Sequence, residues 1–253
     1  MKTYISIISH GHIELIKKLG CLNKLAEEFT VIVKLNKKEK ISSDDIFFKK
    51  ILVLDEKYNR GFGENNNIVF NYCRESLGMD KNDIFIVLNP DVYVETATIR
   101  KLFKSIVSDQ VRIATINLFK DSGYTIYDNS IRKYPNLFDF IKSFLFGSKK
   151  TIIDKNNITE PKAVDWGAGS FLAFKAEHYN NLAGFSEQYY MYCEDIDICY
   201  RSKIMGYPLL YYPQYKAIHL ACHKNRSVFS KHFYWHFRSA LIFTFMKKRL
   251  EYR

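Results

Sequence analysis

Two acidic clusters are the residues of this sequence best suited to chemistry. Asn89-Pro90-Asp91 directly follows the apolar run Ile84–Leu88, and Glu194-Asp195-Ile196-Asp197 lies in the second half of the chain. The run of branched and aromatic residues predicts a buried strand that ends where Pro90 has no N–H to donate. Asp91 is therefore expected at the carboxyl end of a strand, where ligands bind in open α/β sheets. A carboxylate there can hold a divalent cation against a phosphorylated ligand.

The elements that must position these clusters alternate between strands and helices in the first half of the chain. Strands are predicted at 4–8, 30–33, 51–54, 84–88 and 111–118, and helices at 13–25, 65–76 and 98–107. This order predicts a mostly parallel sheet. In the second half, short strands near 164, 171–174, 209–211 and 217–219 and a helix that begins near Asp195 are expected to supply the pocket for a second substrate.

Composition predicts a single domain followed by a tail. The chain has 253 residues, 47% of them hydrophobic, and no Pro, Gly or Ser-rich stretch divides it. We expect one domain over residues 1–227 and a basic amphipathic helix over 228–253. The first apolar run is too short for a signal peptide, and cations interrupt every long apolar stretch. The sequence therefore predicts a cytoplasmic protein without a spanning helix.

The cysteines argue against both a disulfide framework and a zinc finger. There are five, an odd number, and no pair has the spacing C-x-x-C. The segment His219-Leu220-Ala221-Cys222-His223 has no second cysteine pair at finger spacing. We expect these thiols to be reduced and mostly buried.

The net charge of +11 is concentrated in the tail, where eight basic residues between 224 and 253 stand against one acidic residue. An apolar residue recurs there at every fourth position: Phe229, Phe233, Phe237, Leu241 and Phe245. This stripe predicts a helix that either rests on an anionic bilayer or packs on the sheet with its cations solvated. A second apolar and basic segment at 138–150 favours membrane contact. The charge also permits a nucleic-acid-binding protein, but no recognised module is present, so we expect no nucleic acid partner.

A turn rich in glycine and amides opens the helix predicted at 65–76. It reads Asn59-Arg60-Gly61-Phe62-Gly63-Glu64-Asn65-Asn66-Asn67. The two glycines permit close approach and positive φ, and the N-terminus of the following helix favours anions. The turn has neither the Rossmann spacing nor a G-K-[ST] sequence, so those nucleotide sites are excluded. It is either an ordinary turn or a binding turn for another nucleotide.

Six short motifs follow one another between Tyr4 and His236. They are Ser9-His10-Gly11-His12, the run 61–67, Asn89-Pro90-Asp91, Asp165-Trp166-Gly167-Ala168-Gly169-Ser170, Glu194-Asp195-Ile196-Asp197, and His219 before Asn225-Arg226-Ser227. Together they resemble the inverting family-two glycosyltransferases of the GT-A fold, especially bacterial O-antigen rhamnosyltransferases. The resemblance implies an α/β fold with a mostly parallel central sheet, flanking helices and a C-terminal helical segment. It divides the domain into a nucleotide-sugar half, 1–118, and an acceptor half, 119–227.

The resemblance also implies an activity. A metal-dependent enzyme would move a sugar, L-rhamnose from dTDP-L-rhamnose, onto a lipid-linked glycan acceptor at the inner face of the cytoplasmic membrane. A galactofuranosyl or other hexosyl transferase of the same family is one alternative. Another is a relative that binds sugar nucleotides or glycans with weakened turnover.

Individual residues take roles from the same resemblance. Asp91 and His219 are expected to bind Mg²⁺ or Mn²⁺, which neutralises the leaving diphosphate, and Asp195 to take the proton of the acceptor hydroxyl. The other donor-site residues are Ser9, His10, Asn36, Arg60, Gly61, Gly63, Asn65, Asn67, Asn89 and Arg226, and the acceptor-site residues are Trp166, Gly169 and Glu194. Asp197 is expected to cap the helix. The alternatives are that these acids only complement the helix dipole, that Trp166 is core, and that His10 lies on the surface.

Two positions depart from the family pattern. Leu35 stands where family members commonly carry an aspartate that contacts the nucleobase, and Asn89 replaces the first aspartate of the D-x-D element. Asn36 or an amide of the Asn65 to Asn67 cluster can replace the base contact. The loss of one carboxylate is expected to weaken metal binding, and the histidine ligand to shift the preference towards Mn²⁺.

Overall fold

The computed structural model describes residues 1–42, 45–221 and 231–251. The strands are β1 (Thr3–Ser9), β2 (Thr30–Leu35), β3 (Leu52–Leu54), β4 (Ile84–Leu88), β5 (Val92–Tyr93), β6 (Ile113–Phe119), β7 (Ile131–Arg132), β8 (Lys162–Val164), β9 (Trp166–Gly167), β10 (Phe171–Lys175) and β11 (Leu209–His219). The helices are α1 (Ile13–Leu19), α2 (Cys21–Ala26), α3 (Phe62–Ser76), α4 (Thr96–Ser108), α5 (Leu137–Phe146), α6 (Ala176–Asn181), α7 (Glu194–Ile204) and α8 (Lys231–Glu251), with a 3₁₀ turn at Ile46–Phe48.

The central sheet is mostly parallel, as predicted. Its nine strands follow the order β3-β2-β1-β4-β10-β6-β11-β5, with β8 paired to β11 outside this path. Strands β3, β2, β1, β4, β6 and β11 share one direction, whereas β10, β5 and β8 run against their neighbours. β7 and β9 form a separate two-stranded sheet. The carboxyl ends of β1, β2 and β4 therefore meet at one edge of the sheet.

Strand β4 is buried on both faces, which explains its continuous apolar sequence. Phe85 lies on one face, with ring centroids 5.2 Å from Phe70 of α3 and 5.0 Å from Tyr179 of α6. Ile86 lies on the other face, in the cluster that includes Ile99 of α4. Burial of each such side chain stabilises the fold by roughly 1.5–3 kcal/mol. This packing fixes the position of the segment that begins at Asn89.

The helix predicted over 13–25 is two helices. Gly20 has φ 66° and caps α1 by donating its N–H to the carbonyl of Ile16, and α2 begins at Cys21. Glycine adopts this left-handed conformation at little cost, so it ends helices where other residues would continue them. The apolar spacing continues across Gly20, and for this reason the sequence pattern predicted one element.

The two strands predicted at 209–211 and 217–219 are one strand. β11 runs without a break from Leu209 to His219, and its register against β6 shifts between Tyr212 and Lys216. Pro213 lies within this shift and cannot donate a ladder hydrogen bond. Because of this irregular segment, the sequence pattern indicated two strands instead of one. His219 is the last residue of β11.

The predicted C-terminal helix is present, but its aromatic stripe is not the packing face. α8 buries Ser239, Ala240 and Phe243, with the Phe243 ring centroid 6.2 Å from that of Phe140 in α5. Phe237 and Phe245 of the stripe are 45% and 69% exposed. The interpretation in which this stripe covers the sheet is therefore wrong. Phe229 lies outside the described residues.

The structure describes four of the five cysteines and the length and polarity of the helices. Cys21, Cys73, Cys193 and Cys199 are free and buried, and Cys222 lies outside the described residues. In the part of the chain that the structure covers, every helix is too short or too polar to cross a bilayer.

Candidate active site

The two predicted metal ligands lie side by side. Asp91 follows β4, His219 ends β11, and the N–H of Leu220 donates to the carbonyl of Asp91 at 3.1 Å. Nε2 of His219 is 3.3 Å from Oδ1 of Asp91. Both side chains are largely buried. Residues far apart in the sequence thus meet at the edge of the sheet where strands β4 and β11 end.

A second carboxylate, which sequence reasoning missed, holds the other ring nitrogen of His219. Oδ2 of Asp128 is 2.7 Å from Nδ1 of His219. Asp128 lies between β6 and β7, and its N–H donates to the carbonyl of Leu118 at 2.9 Å. Behind it, Lys155 is buried and donates to Ser130 Oγ at 2.9 Å. No motif or spacing marks Asp128, because its role arises only from the long-range contact.

The charges around His219 favour its protonated form in the absence of a metal. Burial opposes that charge, but the hydrogen bonds that the ring donates to Asp128 and Asp91 outweigh it and raise the pKa of His219 to about 9. Burial likewise opposes the charge of Asp91, and the neighbouring His219 nevertheless holds the pKa of that carboxyl below its ordinary value. The imidazolium is therefore paired with two carboxylates before any ligand enters.

The donor set fits a divalent cation. A carboxylate and an imidazole suit Mn²⁺ better than Mg²⁺, and a carboxylate on Nδ1–H is the usual partner of a metal-bound histidine. Within the residues described, no group of three His, Cys, Asp or Glu side chains is arranged to hold a metal. Asp91 and His219 form a pair of possible ligands, in keeping with Asn89 in place of a carboxylate. A metal there would need further oxygen ligands from a substrate or from water.

The predicted base, Asp195, is oriented by two backbone amides. Its Oδ2 accepts from the N–H of Gly169 at 3.1 Å, and its Oδ1 accepts from the N–H of Ile196 at 2.9 Å. Asp195 lies in the first turn of α7, as the sequence predicted. Burial raises the pKa of this carboxyl. A fixed carboxylate with raised proton affinity is suited to general base catalysis.

Glu194 stands next to the base and is nearly inaccessible, with 7% of its surface exposed. Its Oε2 has no hydrogen-bond partner in the described chain. Burial and then the charge of Asp195 raise the pKa of Glu194 to about 8. A neutral carboxyl at this position can donate a hydrogen bond to a substrate hydroxyl.

Asp197 does not cap α7, so that prediction is wrong. The N-cap position is Cys193, which has φ 67° and makes no side-chain cap. Asp197 instead pairs with Arg201 at 2.7 Å and accepts from Tyr189 Oη at 3.4 Å. Its position one helical turn before Arg201 explains the ion pair.

One cavity of about 500 Å³ lies between the first turn of α7 and His219, and Asp91 is not among its lining residues. Asp195 and Glu194 line it, and so do Asp128 and His219. The candidate base and the candidate metal ligand therefore share a cavity. Further parts of its wall come from His236 of α8, from Trp166 and from the segment between β7 and β8.

Trp166 is both a core residue and a wall of this cavity. It is 8% exposed, and its Nε1 donates to the carbonyl of Lys133 at 3.0 Å. The Arg132 guanidinium lies 5.8 Å from the ring centroid. Gly169 contributes its amide to Asp195, and a Cβ there would come within 3.0 Å of the Phe62 ring. Gly169 therefore helps to orient the candidate base, Asp195.

The glycines of the amide-rich turn make room for protein. Gly61 has φ −63°, and neither Gly61 nor Gly63 has positive φ, so of the two properties that these glycines permit the turn uses only the close approach. A Cβ on Gly61 would lie 2.7 Å from the carbonyl oxygen of Tyr190, and one on Gly63 would lie 2.7 Å from Cβ of Phe185. The close approach is thus to the segment that leads into Glu194.

The predicted donor-site amides build the framework around this turn. Asn36 accepts from the N–H of Arg60 at 2.8 Å and donates to its carbonyl at 2.9 Å. Asn65 donates to the carbonyl of Gly61 at 2.8 Å, and Asn67 donates to the carbonyl of Phe185 at 2.9 Å. These contacts use amide groups that were expected to bind a nucleobase. Arg60 itself lies 3.3 Å from Glu64.

The loop after β1 is organised by Glu39, which sequence reasoning did not single out. Its Oε1 accepts from Ser9 Oγ at 2.6 Å and from the N–H of Gly11 at 2.9 Å. His10 is exposed, and its N–H donates to Nδ1 of His12 at 3.0 Å. Ser9 and His10 therefore lie at the sheet edge, beside the end of β2.

The other two donor-site predictions have different outcomes. Asn89 donates its N–H to the carbonyl of Ser170 at 3.0 Å, which joins the end of β4 to the segment before β10. Arg226 lies outside the described residues. No role for it is observed or excluded.

Helix α8 supports the turn that precedes the candidate base, Asp195. Ser239 Oγ donates to the carbonyl of Met191 at 2.9 Å, and Arg238 donates to the carbonyl of Gln188 at 2.8 Å. The Tyr190 and Trp235 ring centroids are 4.8 Å apart. The turn is therefore held between α8 on one side and Gly61 on the other.

No protein-family model matches the chain. The chain is 39% identical over 259 residues to Rhamnosyltransferase WbbL of Escherichia coli (strain K12), covering 99% of this chain and 95% of that protein. It is 28% identical over 170 residues to the N-acetylglucosaminyl-diphospho-decaprenol L-rhamnosyltransferase of Mycobacterium tuberculosis (strain ATCC 25618 / H37Rv), covering 64% of this chain and 55% of that one.

Two solved structures share the fold. The crystal structure of GalNAc-T7 with UDP, GalNAc and Mn²⁺ matches with a TM-score of 0.60 at 15% identity, over 87% of this chain and 44% of that one. Staphylococcus aureus TarS matches with a TM-score of 0.54 at 12% identity, over 86% and 36%. The fold is that of the GT-A glycosyltransferases, and the full-length identity to WbbL shows that this chain belongs to the rhamnosyltransferase family of GT-A glycosyltransferases.

Proposed function

We propose that this rhamnosyltransferase takes L-rhamnose from dTDP-L-rhamnose and attaches it to the sugar of a diphosphate-linked lipid during O-antigen synthesis. The observation that carries the proposal is the shared cavity, in which the oriented carboxylate of Asp195 and the imidazole of His219 both line the wall. The name of the mycobacterial relative specifies an N-acetylglucosaminyl-diphospho lipid as its acceptor. The nucleotide base and the acceptor sugar rest on the family alone.

Asp91 and His219 are the residues that would hold Mn²⁺ or Mg²⁺, Mn²⁺ being the better match to an imidazole ligand. When bound, such an ion neutralises the charge that develops on a leaving diphosphate. The residues of the chain then have separate tasks. Asp128 holds the His219 ring through Nδ1, and Asn89 ties the end of β4 to Ser170.

The transfer chemistry falls to the first turn of α7. An inverting transfer needs a base on the face of the sugar opposite the leaving group. The two amides on Asp195 fix its carboxylate towards the cavity, where it would take the proton of the acceptor hydroxyl as that oxygen attacks the anomeric carbon. Glu194, kept neutral by burial, would donate a hydrogen bond to another acceptor hydroxyl.

We also propose that the enzyme binds peripherally to an anionic membrane at the cytoplasmic face. The outward face of α8 exposes Tyr234, Phe237 and Phe245, and its last turns carry Lys248 and Arg249. Phe138 of α5, which packs against α8, is 71% exposed. Aromatic side chains flanked by cations suit the interface of an anionic bilayer.

A donor and acceptor screen tests the proposal. The full chain would be incubated with Mn²⁺, a short-chain N-acetylglucosaminyl-diphospho-lipid and either dTDP-L-rhamnose or a UDP-hexose, including UDP-galactofuranose. We expect transfer from dTDP-L-rhamnose with inversion at the anomeric carbon, read by NMR of the product. Transfer from a UDP-hexose alone would contradict the donor, and binding of donor without any product would favour a relative with weakened turnover.

A further inference from the structure

The chain enters α7 through two consecutive residues in the left-handed region. Tyr192 has φ 72° and Cys193 has φ 67°, and neither is a glycine. Residues with a Cβ rarely adopt this conformation, because the Cβ comes too close to the following carbonyl oxygen. Strained residues of this kind persist only where the surrounding structure holds them, and they cluster at functional sites. Glu194 and Asp195, which line the cavity, follow them directly.

The conformation of Cys193 sets the direction in which the first turn of α7 begins. An N-cap residue usually has an extended conformation and a side chain that accepts a hydrogen bond from the helix. Cys193 is the N-cap of α7, but it is left-handed and makes no side-chain cap hydrogen bond. Its carbonyl accepts from the N–H of Asp197 at 2.9 Å, so it is joined to the helix. A change of Cys193 to an extended conformation would reorient this turn and with it the carboxylate of Asp195, which accepts from the N–H of Gly169.

Helix α8 holds this turn through both its backbone and a side chain. Ser239, which is 1% exposed, donates from Oγ to the carbonyl of Met191 at 2.9 Å. That carbonyl belongs to the peptide group that precedes Tyr192, so the hydrogen bond restrains the φ angle of Tyr192. Two histidines of α8 contact the Tyr192 side chain, since its Oη lies 3.0 Å from Nδ1 of His232 and its ring centroid 5.2 Å from that of His236.

Two hydroxyl groups of α8 differ in what they bind. Thr244 donates from Oγ1 to the carbonyl of Ala240 at 2.8 Å, one turn earlier in the same helix, as serine and threonine within helices often do. Ser239 lies on the buried face of α8 beside Ala240 and donates to a segment 48 residues away. The Ser239 hydroxyl therefore links α8 to the turn before Asp195, whereas the Thr244 hydroxyl serves its own helix.

We propose that Ser239 is a positioning residue for the transfer reaction and acts on Asp195 through the turn at 192–193. Its hydrogen bond to Met191 keeps the turn left-handed, and the turn aims the carboxylate of Asp195 into the cavity. This inference rests on the proposed function, because Asp195 is the proposed base. Ser239 is not among the residues that line the cavity, so it affects the geometry of the reaction without contacting a substrate there. Helix α8 then has two tasks, since its buried face orients the base and its outward face exposes aromatic residues.

Steady-state kinetics of Ser239→Ala test the inference. We expect kcat for transfer to fall roughly tenfold or more, because a small displacement of a catalytic group can cost up to about a hundredfold in rate. KM for the donor and for the acceptor should stay within about twofold of wild type, since no substrate contact is removed. Thr244→Ala removes a hydroxyl from the same helix and should keep the wild-type kcat. An unchanged kcat in Ser239→Ala would overturn the inference.

A second substitution in the turn separates positioning from a loss of overall stability. Glycine adopts positive φ about as readily as negative φ, so a glycine at position 193 needs less support from α8. The double variant Ser239→Ala/Cys193→Gly should therefore recover most of the kcat that Ser239→Ala loses. Thermal unfolding of each variant checks the fold. A double variant no faster than Ser239→Ala would show that the loss does not arise from the left-handed turn, and the inference would be wrong.

The backbone amide of Gly169 provides a test that needs no catalysis. Its hydrogen bond to Asp195 slows its exchange with solvent, which NMR measures in the folded protein. We expect this amide to exchange up to roughly tenfold faster in Ser239→Ala, the worth of one hydrogen bond, and at the wild-type rate in Thr244→Ala. If wild type transfers no rhamnose but the amide shows this difference, the proposed donor or reaction is wrong and the positioning of Asp195 by Ser239 stands. If the amide exchanges equally in wild type and Ser239→Ala, the inference is wrong whatever the reaction.

Discussion

Nδ1 of His219 lies 2.7 Å from Oδ2 of Asp128, so this carboxylate determines that Nε2 is the ring nitrogen facing Asp91. Removal of a carboxylate that orients a metal-binding histidine typically costs tenfold to hundredfold in metal affinity. We expect Asp128→Ala to weaken Mn²⁺ binding by roughly that factor, measured by electron paramagnetic resonance of free Mn²⁺ during titration. Asp128→Asn, which keeps one acceptor oxygen, should be less affected. Glu160→Ala, at an exposed position, serves as control, and an affinity of Asp128→Ala equal to that of wild type would contradict the role of Asp128.

Substitution of the base should separate chemistry from donor binding. Asp195→Asn keeps the size of the side chain and one acceptor for the surrounding amides, but it cannot take a proton. We expect the transfer rate to fall roughly a hundredfold or more, because a positioned base contributes about that much. Donor affinity, measured by titration with the nucleotide sugar, should be nearly unchanged. Asp154→Asn alters an exposed carboxylate and should behave as wild type. Full activity in Asp195→Asn would remove Asp195 from the mechanism.

Glu194 should make the folded state less stable as pH rises. Its folded-state pKa is raised to about 8, above the ordinary value of 4.5. Between these values the folded state binds more protons than the unfolded state, so the free energy of unfolding falls with increasing pH. Glu194→Gln removes this contribution to the pH dependence of the free energy of unfolding, which is at most about 1.4 kcal/mol per pH unit. Urea unfolding at pH 5.5 and pH 8 should show a smaller loss in the variant. An equal loss in both proteins would contradict the raised pKa.

Gly61 should not tolerate a side chain. A Cβ there would lie 2.7 Å from the carbonyl oxygen of Tyr190, which is backbone and cannot move aside easily. We expect Gly61→Ala to lower the free energy of unfolding by roughly 1–3 kcal/mol, the usual cost of overpacking. Gly123→Ala is the control, because its new Cβ meets only the side chains of Asp121 and Thr125. Chemical denaturation of both variants provides the comparison. Equal stability of Gly61→Ala and wild type would show that the turn can shift to accommodate a side chain at this position.

The exposed face of α8 should carry membrane binding. Replacement of both Phe237 and Phe245 with serine removes apolar side chains that are 45% and 69% exposed, so the melting temperature should change little. The fraction of protein that sediments with anionic liposomes should fall strongly, because apolar burial in the interface is lost. Ile46→Ser, at an 84% exposed position elsewhere, should sediment like wild type. An unchanged pellet for the double variant would mean that another surface binds the membrane.

Much of the fold followed from local patterns. The buried strand before Asn89 and the alternation of strands and helices were predictable because apolar runs and helical spacing are properties of short segments. The break at Gly20 and the continuity of β11 through Pro213 were not, since each depends on a backbone conformation that apolar spacing does not record. The boundaries proposed at 118 and 227 stay predictions.

For the candidate site, the sequence by itself determined the residue types, the position of Asp91 after a strand and that of Asp195 in the first turn of a helix. Only the tertiary structure decided that His219 lies between Asp91 and Asp128, that Gly61 accommodates Tyr190, and that Arg132 lies beside Trp166. The reason is physical. Strand and helix ends are set by neighbours in sequence, whereas the partners of a carboxylate or a guanidinium are set by which distant segments the packed sheet brings within hydrogen-bond reach.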